Sequence, residues 1–281
     1  MRVGVLGSSG FIGSTICSSL GDQCCRFDDK MHSLFDVASM KDFVKNADII
    51  FHLAGKNRAP NDEIFRVNFL GTTNLLESIR RYSDSSVRIV FASSLQVYGY
   101  STTSSRFRET DSIKPQSIYA LSKYLAEVAI KSYYEYYGLK SLVFRISNVY
   151  GEGCRPFYNS VISTFAHQIG KKEVIEIDGS GEQSRDFIHV SDVVDAFRTT
   201  LNHRFNGFDI LNICTGRSVS VIDVIELIRT ITDRNFTVQH RKFPRVVDYA
   251  IGDPSKAMEV LGWHAKVGLE DGLRRMIEGV R

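Results

Sequence analysis

Tyr119 and Lys123 stand four residues apart within Ser117 to Tyr137, a stretch whose pattern predicts one long helix. That spacing puts the phenol and the ammonium on one face. A free tyrosine titrates at about 10 and is a poor base at neutral pH. A neighbouring cation favours the phenolate, and a phenol drawn toward the working pH can accept and return a proton. Ser94, just past the apolar run Val87 to Ala92, offers a hydroxyl to the same oxygen. Ser94, Tyr119 and Lys123 are therefore the expected catalytic residues. Taken alone, Tyr-x-x-x-Lys equally describes a surface pair on an amphipathic helix. A preceding strand ending in Ser93-Ser94, with a glycine-rich turn upstream, makes it specific.

That turn is Gly7-Ser8-Ser9-Gly10-Phe11-Ile12-Gly13, placed between a strand-like run, Val3 to Leu6, and a helical one, Phe11 to Leu20. One glycine permits the tight turn, one lets backbone approach a pyrophosphate, and one lets helix pack on strand. The helix start then supplies free N–H groups and partial positive charge. Gly7, Ser9, Gly10, Phe11, Ile12 and Gly13 are expected to hold a dinucleotide, with Tyr119 and Lys123 near its nicotinamide. Asp28, after the second strand, is placed to hold the adenosine ribose, which favours NAD and leaves NADP possible because Arg26 is close by. A solvated loop acid is the alternative for Asp28. Asp36 is expected to cap the adenine pocket, and Val37 is included with it.

These groups need a scaffold that brings strand ends together. Val3–Leu6, Cys24–Phe27, Ala47–Leu53, Val87–Ala92 and Leu142–Ile146 read as strands, with helical patterns over 11–20, 70–80 and 117–137 between them. The alternation predicts an α/β fold, a Rossmann-type doubly wound parallel sheet, with ligands at the carboxyl ends of its strands. Beyond about residue 150 glycines and Pro156 break the pattern, and a smaller mixed α+β substrate-binding cap is expected to wall one side of a cleft. The expected division is 1–150 plus 187–215 for the dinucleotide-binding domain, and 151–186 plus 216–281 for the other. Phe187 to Arg198, Val221 to Ile231 and Val267 to Ile277 read as helix-containing.

With 35 basic and 32 acidic residues, the net charge is only +3, and no long basic run suggests a nucleic-acid partner. Five cysteines match no zinc spacing and read as reduced, buried thiols in a cytoplasmic protein, with no metal. Met1-Arg2 runs straight into a strand pattern, which argues against a signal peptide, and no apolar stretch of about 18 residues suggests a membrane span.

The motifs together resemble the extended short-chain dehydrogenase/reductase family in its NAD-dependent epimerase/dehydratase branch. They run from Gly7-x-x-Gly10-x-x-Gly13 through His52-Leu53-Ala54-Gly55, Val67-Asn68-x-x-Gly71-Thr72 and Ser93-Ser94-x-x-Val97-Tyr98-Gly99. They continue with Tyr119-x-x-x-Lys123, Arg145-x-x-Asn148-Val149-Tyr150-Gly151, Gly179-x-Gly181-x-Gln183-x-Arg185-Asp186 and Leu261-Gly262-Trp263. The resemblance implies that Leu53, Ala54 and Gly55 line the cofactor and that the substrate is a nucleotide diphosphate sugar. It makes Asn148, Arg185 and Arg245 diphosphate contacts, with Ser94 and Tyr119 on the sugar; guanidinium forks suit phosphate oxygens. A structural pair of Arg185 with Asp186 is the alternative. The resemblance also implies a homodimer built on two helices per subunit, to which Tyr133, Tyr134, Tyr136 and Tyr137 could contribute.

Three functions fit. Dehydratases of this kind carry an Asp-Glu pair after the catalytic hydroxyl residue, where this chain has Leu95-Gln96, so elimination of water lacks its acid and base. The first expectation is thus epimerisation at sugar C4, needing one base and a tightly held NAD. The second is reduction of a 4-keto-6-deoxy nucleotide sugar, suggested by His52 to Arg58 and by the short segment from Asp28 to Asp36. The third, from a different class, is a non-catalytic NAD(P)-binding sensor.

Overall fold

The computed structural model describes residues 1–28, 32–84, 86–158, 160–169, 174–241 and 248–278. The chain forms two compact units. The first combines Met1–Gly99, Ser112–Ile146 and Val194–Leu211; the second combines Tyr100–Asp111, Ser147–Val193 and Asn212–Arg281.

The first unit is built on five paired strands: β1 (Val3–Leu6), β2 (Cys24–Arg26), β3 (Ile49–His52), β4 (Arg88–Ser94) and β5 (Ser141–Ile146). Each neighbouring pair among them is parallel. The sheet order is β5-β4-β3-β1-β2, with Phe208–Ile213 beyond β5. Chain order reverses at β1, and sheets of this kind take ligands at the carboxyl ends of the strands flanking the reversal, here β1 and β3. Alternation along the strands covers both faces. Ile50, Phe91 and Val143 join Leu75, Leu76, Ala126 and Ile130 in one core layer. Their neighbours Phe51 and Phe144 point the other way, each with its ring 5.0 Å from that of Phe197. Strands buried on both sides read as continuous apolar runs, as these do.

The helices that matter are α1 (Phe11–Leu20), α2 (Lys41–Lys45), α3 (Asn61–Phe65), α4 (Gly71–Tyr82) and α5 (Ile118–Tyr137). The predicted helix over 70–80 is part of a longer arrangement, since a π-helical turn, Arg66–Leu70, joins α3 to α4. Such turns widen a helix locally and recur at functional sites. Ser117 caps α5, its hydroxyl accepting from the Ala120 N–H, and Gly138 ends it in the left-handed conformation.

The second unit is mixed. A three-stranded sheet orders Val219–Ser220, Ser184–Arg185 and Tyr249–Ala250; Val174–Asp178 pairs with Thr237–Arg241, and Asn148–Tyr150 with Phe187–His189. Its core gathers Ile162, Phe165, Ile175, Val224, Ile225, Ile228 and Leu273. The segment Tyr100–Asp111 belongs here, bridging through Ser101 to Tyr249 and through Phe107 to Gly252. Phe187 to Arg198 is a short strand followed by the helix Val190–Asn202. Trp263 is held by its indole N–H on the Asp192 carbonyl, 3.2 Å away, and the Asp192 carboxylate accepts from the N–H groups of Lys266 and Val267.

All five cysteines are free thiols. Cys17 and Cys214 are buried as expected, but Cys24, Cys25 and Cys154 are only half-buried. Among the described residues no helix is long and apolar enough to cross a membrane.

Candidate active site

The glycine turn leaves β1 and enters α1 with no room for side chains. Gly7 has φ +89°, and a Cβ there would stand 2.6 Å from the Ala54 nitrogen; at Gly13 it would stand 2.1 Å from the Gly7 carbonyl oxygen. The turn is closed by Gly10 N–H on Gly7 O at 3.1 Å. Gly10 caps α1 without a side-chain acceptor, so the first-turn N–H groups of Phe11, Ile12 and Gly13 receive no side-chain cap. This bare, glycine-lined helix start suits a pyrophosphate, and Ser9 is an exposed member of it. Leu53, Ala54 and Gly55 follow β3 beside it, as the Gly7–Ala54 approach demonstrates.

Asp28 lies exposed two residues beyond β2, at the same strand ends. Asp36 turns its carboxylate onto its own loop, accepting the Ala38 N–H at 2.9 Å, with Val37 half-buried between them. The sequence pattern had no way to show that local bond.

β4 delivers Ser94 at its last position, where the hydroxyl accepts from the Gln96 N–H at 3.2 Å and caps the 3-10 turn Leu95–Tyr98. Ser94 also hydrogen-bonds the Tyr119 phenol. Lys123, one turn along α5, is buried; its ammonium donates to the Ala92 carbonyl at 2.8 Å and lies 4.7 Å from the Phe91 ring centre. A Cβ on Gly55 would stand 3.0 Å from the Lys123 Nζ, so the backbone after β3 runs against the ammonium. The structure thus brings Ser94, Tyr119, Lys123 and Gly55 together, with Gly55 continuous with the glycine turn's neighbour Ala54.

One electrostatic expectation is corrected. Burial raises the Tyr119 phenol above its ordinary value, opposed only by the Ser94 hydrogen bond. The Lys123 ammonium is directed at the Ala92 carbonyl and the Phe91 ring. Lys123 is itself pulled down to about 8 by desolvation, against the opposing charge of Glu127.

Two groups escaped the sequence reading. Buried Asn68, in the π turn, donates to the Lys56 carbonyl and the Ser122 hydroxyl, each at 2.9 Å, and accepts the Lys56 N–H at 2.8 Å. It ties the loop after β3 to α5. His52 is fully buried and held down at about 3 by desolvation and the Lys123 charge. Thr72 Oγ1 donates to Asn68 O at 2.6 Å, so His52 Nε2 donates to Thr72 at 2.8 Å. Nδ1 is then the bare nitrogen, and no partner for it is seen among the described residues. Both residues stand in recognisable motifs, His52-Leu53-Ala54-Gly55 and Val67-Asn68-x-x-Gly71-Thr72; only their partners, distant in sequence, disclose their work.

In the second unit, Asn148 donates its side-chain amide to the Asp186 carbonyl at 3.2 Å. Arg185 pairs with Asp248, not with its neighbour Asp186, at 2.7 Å, and lies over the Tyr100 ring. Asp186 points elsewhere, accepting from Thr215 and Gly216. Arg245 lies outside the described residues. Of the four tyrosines near the end of α5, Tyr133 bonds Glu77 and Tyr134 stacks with Phe208, while Tyr136 and Tyr137 are exposed.

A doubly wound sheet carrying this turn and these hydroxyls defines a Rossmann-type nucleotide-binding enzyme. The chain belongs to the NAD dependent epimerase/dehydratase family, whose model matches residues 3–214. It is 35% identical to a Methanocaldococcus jannaschii protein provisionally named a UDP-glucose 4-epimerase, over 84% of this chain and 78% of that one. It is also 35% identical to the dTDP-4-dehydro-6-deoxyglucose reductase of Escherichia coli, over 71% of this chain and 63% of that one. Among solved structures, MoeE5 in complex with UDP-glucuronic acid and NAD superposes with a TM-score of 0.86 at 31% identity, covering 100% of this chain and 99% of that one. The family is one of nucleotide-sugar epimerases, dehydratases and reductases, so the sensor reading is set aside in favour of an enzyme.

Proposed function

We propose that this enzyme is an NAD-dependent epimerase acting at C4 of a nucleoside diphosphate hexose. The observation that carries the reading is the Ser94–Tyr119 hydrogen bond at the end of β4, followed by a residue that cannot act as an acid: Leu95 is 3% exposed and apolar. One exchangeable phenol proton suffices for oxidation and re-reduction at a single carbon, whereas elimination of water needs a second acid-base pair.

In this reading the glycine turn and the start of α1 hold the pyrophosphate, and Asp28 holds the adenosine ribose in preference to a 2′-phosphate. A nicotinamide dinucleotide bound there supplies the acceptor and donor of hydride. Ser94 orients the sugar 4-oxygen. Tyr119 takes its proton as the alcohol becomes a ketone and returns it after the sugar has turned over. Lys123 supplies the positive charge that favours the phenolate when substrate is aligned. Asn148, Arg185 and Arg245 are assigned to the diphosphate. The similarity to the M. jannaschii protein supports C4 chemistry. A homodimer is assigned on the family resemblance, with Tyr136 and Tyr137 as exposed apolar area. Light scattering over a dilution series tests it, and a monomer throughout removes it.

The test is to denature the purified protein, assay released cofactor, and incubate native enzyme with UDP-glucose and UDP-galactose, with dTDP and other nucleotide variants in parallel. Stoichiometric NAD and interconversion at C4 support the proposal. A second reading, a 4-keto-6-deoxy sugar reductase, is favoured by the short Asp28–Asp36 segment and by the E. coli relative. It predicts little retained cofactor and oxidation of NADPH or NADH only with a 4-keto nucleotide sugar.

A further inference from the structure

Behind Ser94 and Lys123 lies a charge pair that the proposed chemistry does not use. Glu127 on α5 and Arg145 on β5 each have side chains 3% exposed. They meet as a fork: Arg145 Nη2 lies 2.7 Å from Oε2, and Nε lies 3.2 Å from both carboxylate oxygens. The remaining Arg145 Nη1 donates to the Tyr98 hydroxyl at 2.9 Å, and Ser93 Oγ donates to the Glu127 carboxylate. Replacing a buried pair by packed apolar groups is often neutral or better for stability, so stability alone does not explain such a cluster.

Its partners explain it better. Ser93 precedes Ser94. Tyr98 closes the turn that Ser94 caps. Glu127 follows Lys123 by one helical turn, and Lys123 is bonded to Ala92, the residue before Ser93. The titratable groups around the Lys123 ammonium are His52 from β3 and Tyr119 and Glu127 from its own helix, with Arg145 of β5 and Tyr98 beyond the carboxylate. His52 is neutral and Tyr119 is raised, so the Glu127 carboxylate, shared with Arg145, is the group here that favours the charged ammonium.

We propose that Glu127 is a positioning residue of this site: clamped by Arg145, its carboxylate sets the charge environment of Lys123 and, through Ser93, the placement of Ser94. It touches neither sugar nor cofactor. The inference deepens the catalytic reading above and rests on it for its meaning.

The experiment follows the 13Cε signal of Lys123 in the full-length protein from about pH 6 to about pH 11, assigned by its loss in Lys123→Met. The variants are Glu127→Gln, Glu127→Gln with Arg145→Gln (which leaves no unpaired buried guanidinium), Glu127→Asp and Ser93→Ala. The wild-type midpoint is expected near about 8. In Glu127→Gln it falls by roughly one pH unit, and by less in the double variant, where the departing Arg145 cation offsets part of the lost carboxylate charge; the alkaline limb of kcat falls with it at unchanged KM. Glu127→Asp restores both. Ser93→Ala leaves the midpoint in place and lowers kcat by roughly 10-fold, within the range a misplaced hydroxyl costs. A folded Gln variant with the wild-type midpoint overturns the electrostatic half, and an unchanged kcat in Ser93→Ala overturns the positional half. A wild type that turns over no nucleotide sugar defeats the functional reading, while the Lys123 titration still decides the role of Glu127.

Discussion

The Lys123 ammonium lies 2.8 Å from the Ala92 carbonyl oxygen, which pins the middle of one turn of α5 to the end of β4. The bond fixes where the cation stands, and burial of that cation brings its titration down to about 8. The ammonium is charged below that value and is lost as pH rises through it. In the proposed reaction kcat should therefore hold below about pH 8 and decline above it. A pH profile of kcat checks this; a level profile well into the alkaline range speaks against a protonated Lys123 in the reaction.

Tyr119→Phe removes the exchangeable proton and leaves the ring. Turnover should fall by about 10²- to 10⁴-fold, the range of a general acid-base group. Dinucleotide affinity, measured by titration calorimetry, should stay the same, because the glycine turn is untouched. A Phe variant with normal turnover would falsify the assignment of the phenol.

Gly13→Ala puts a methyl where the Gly7 carbonyl oxygen stands 2.1 Å away. Since the Cβ is fixed by its own backbone and the atom it meets is a backbone oxygen, the turn itself must open. The expected result is a drop of at least about 10-fold in dinucleotide affinity, the size of about 1.4 kcal/mol of lost binding, together with a lower Tm. Unchanged affinity would remove the pyrophosphate from this turn.

His52 makes a separate prediction about acid stability. Its folded form stays neutral down to about 3, against an ordinary value of 6.5. Between those values the unfolded chain binds the extra proton, so stability rises with pH across the window and is lost on acidification from 6.5. The loss from this one ring is about 1.4 kcal/mol per pH unit. His52→Asn should flatten that part of the curve in denaturant titrations at pH 4 to 6.5, whereas parallel curves for the two proteins would place the acid sensitivity elsewhere.

Arg185 is held by Asp248 and by the Tyr100 ring. If it also receives the diphosphate, Arg185→Lys loses the planar fork and raises KM for the nucleotide sugar by about 10-fold or more, while cofactor release on denaturation is unaffected. The same KM in both proteins takes the diphosphate away from this residue.

The strands and long helices of the first unit were legible because each buries a recognisable pattern, continuous apolar runs in β3 to β5 and spacing by four in α1. Glycines 7 and 13 were legible because only a residue without Cβ fits where Ala54 and the Gly7 carbonyl press in. Ser94, Tyr119 and Lys123 are brought together as their local spacing suggested, since one sits at a strand end and two share a helix face. What went unread has a common cause. The partner of Arg185 is 63 residues away in Asp248, and its neighbour Asp186 is drawn off by Thr215 and Gly216. The segment Tyr100–Asp111 joins the second unit by bridging to Tyr249 and Gly252, a choice no local pattern records.

Sequence by itself determined which residues could do chemistry here and the kind of sheet that would present them, because side-chain type and periodicity act over a few residues. Tertiary structure decided their charge states and partners. Burial raises Tyr119, lowers Lys123 and silences His52, and Glu127 meets Arg145 and Ser93 across three different elements. The cost of removing a charge from water depends on everything packed around it, and that is a property of the folded chain alone.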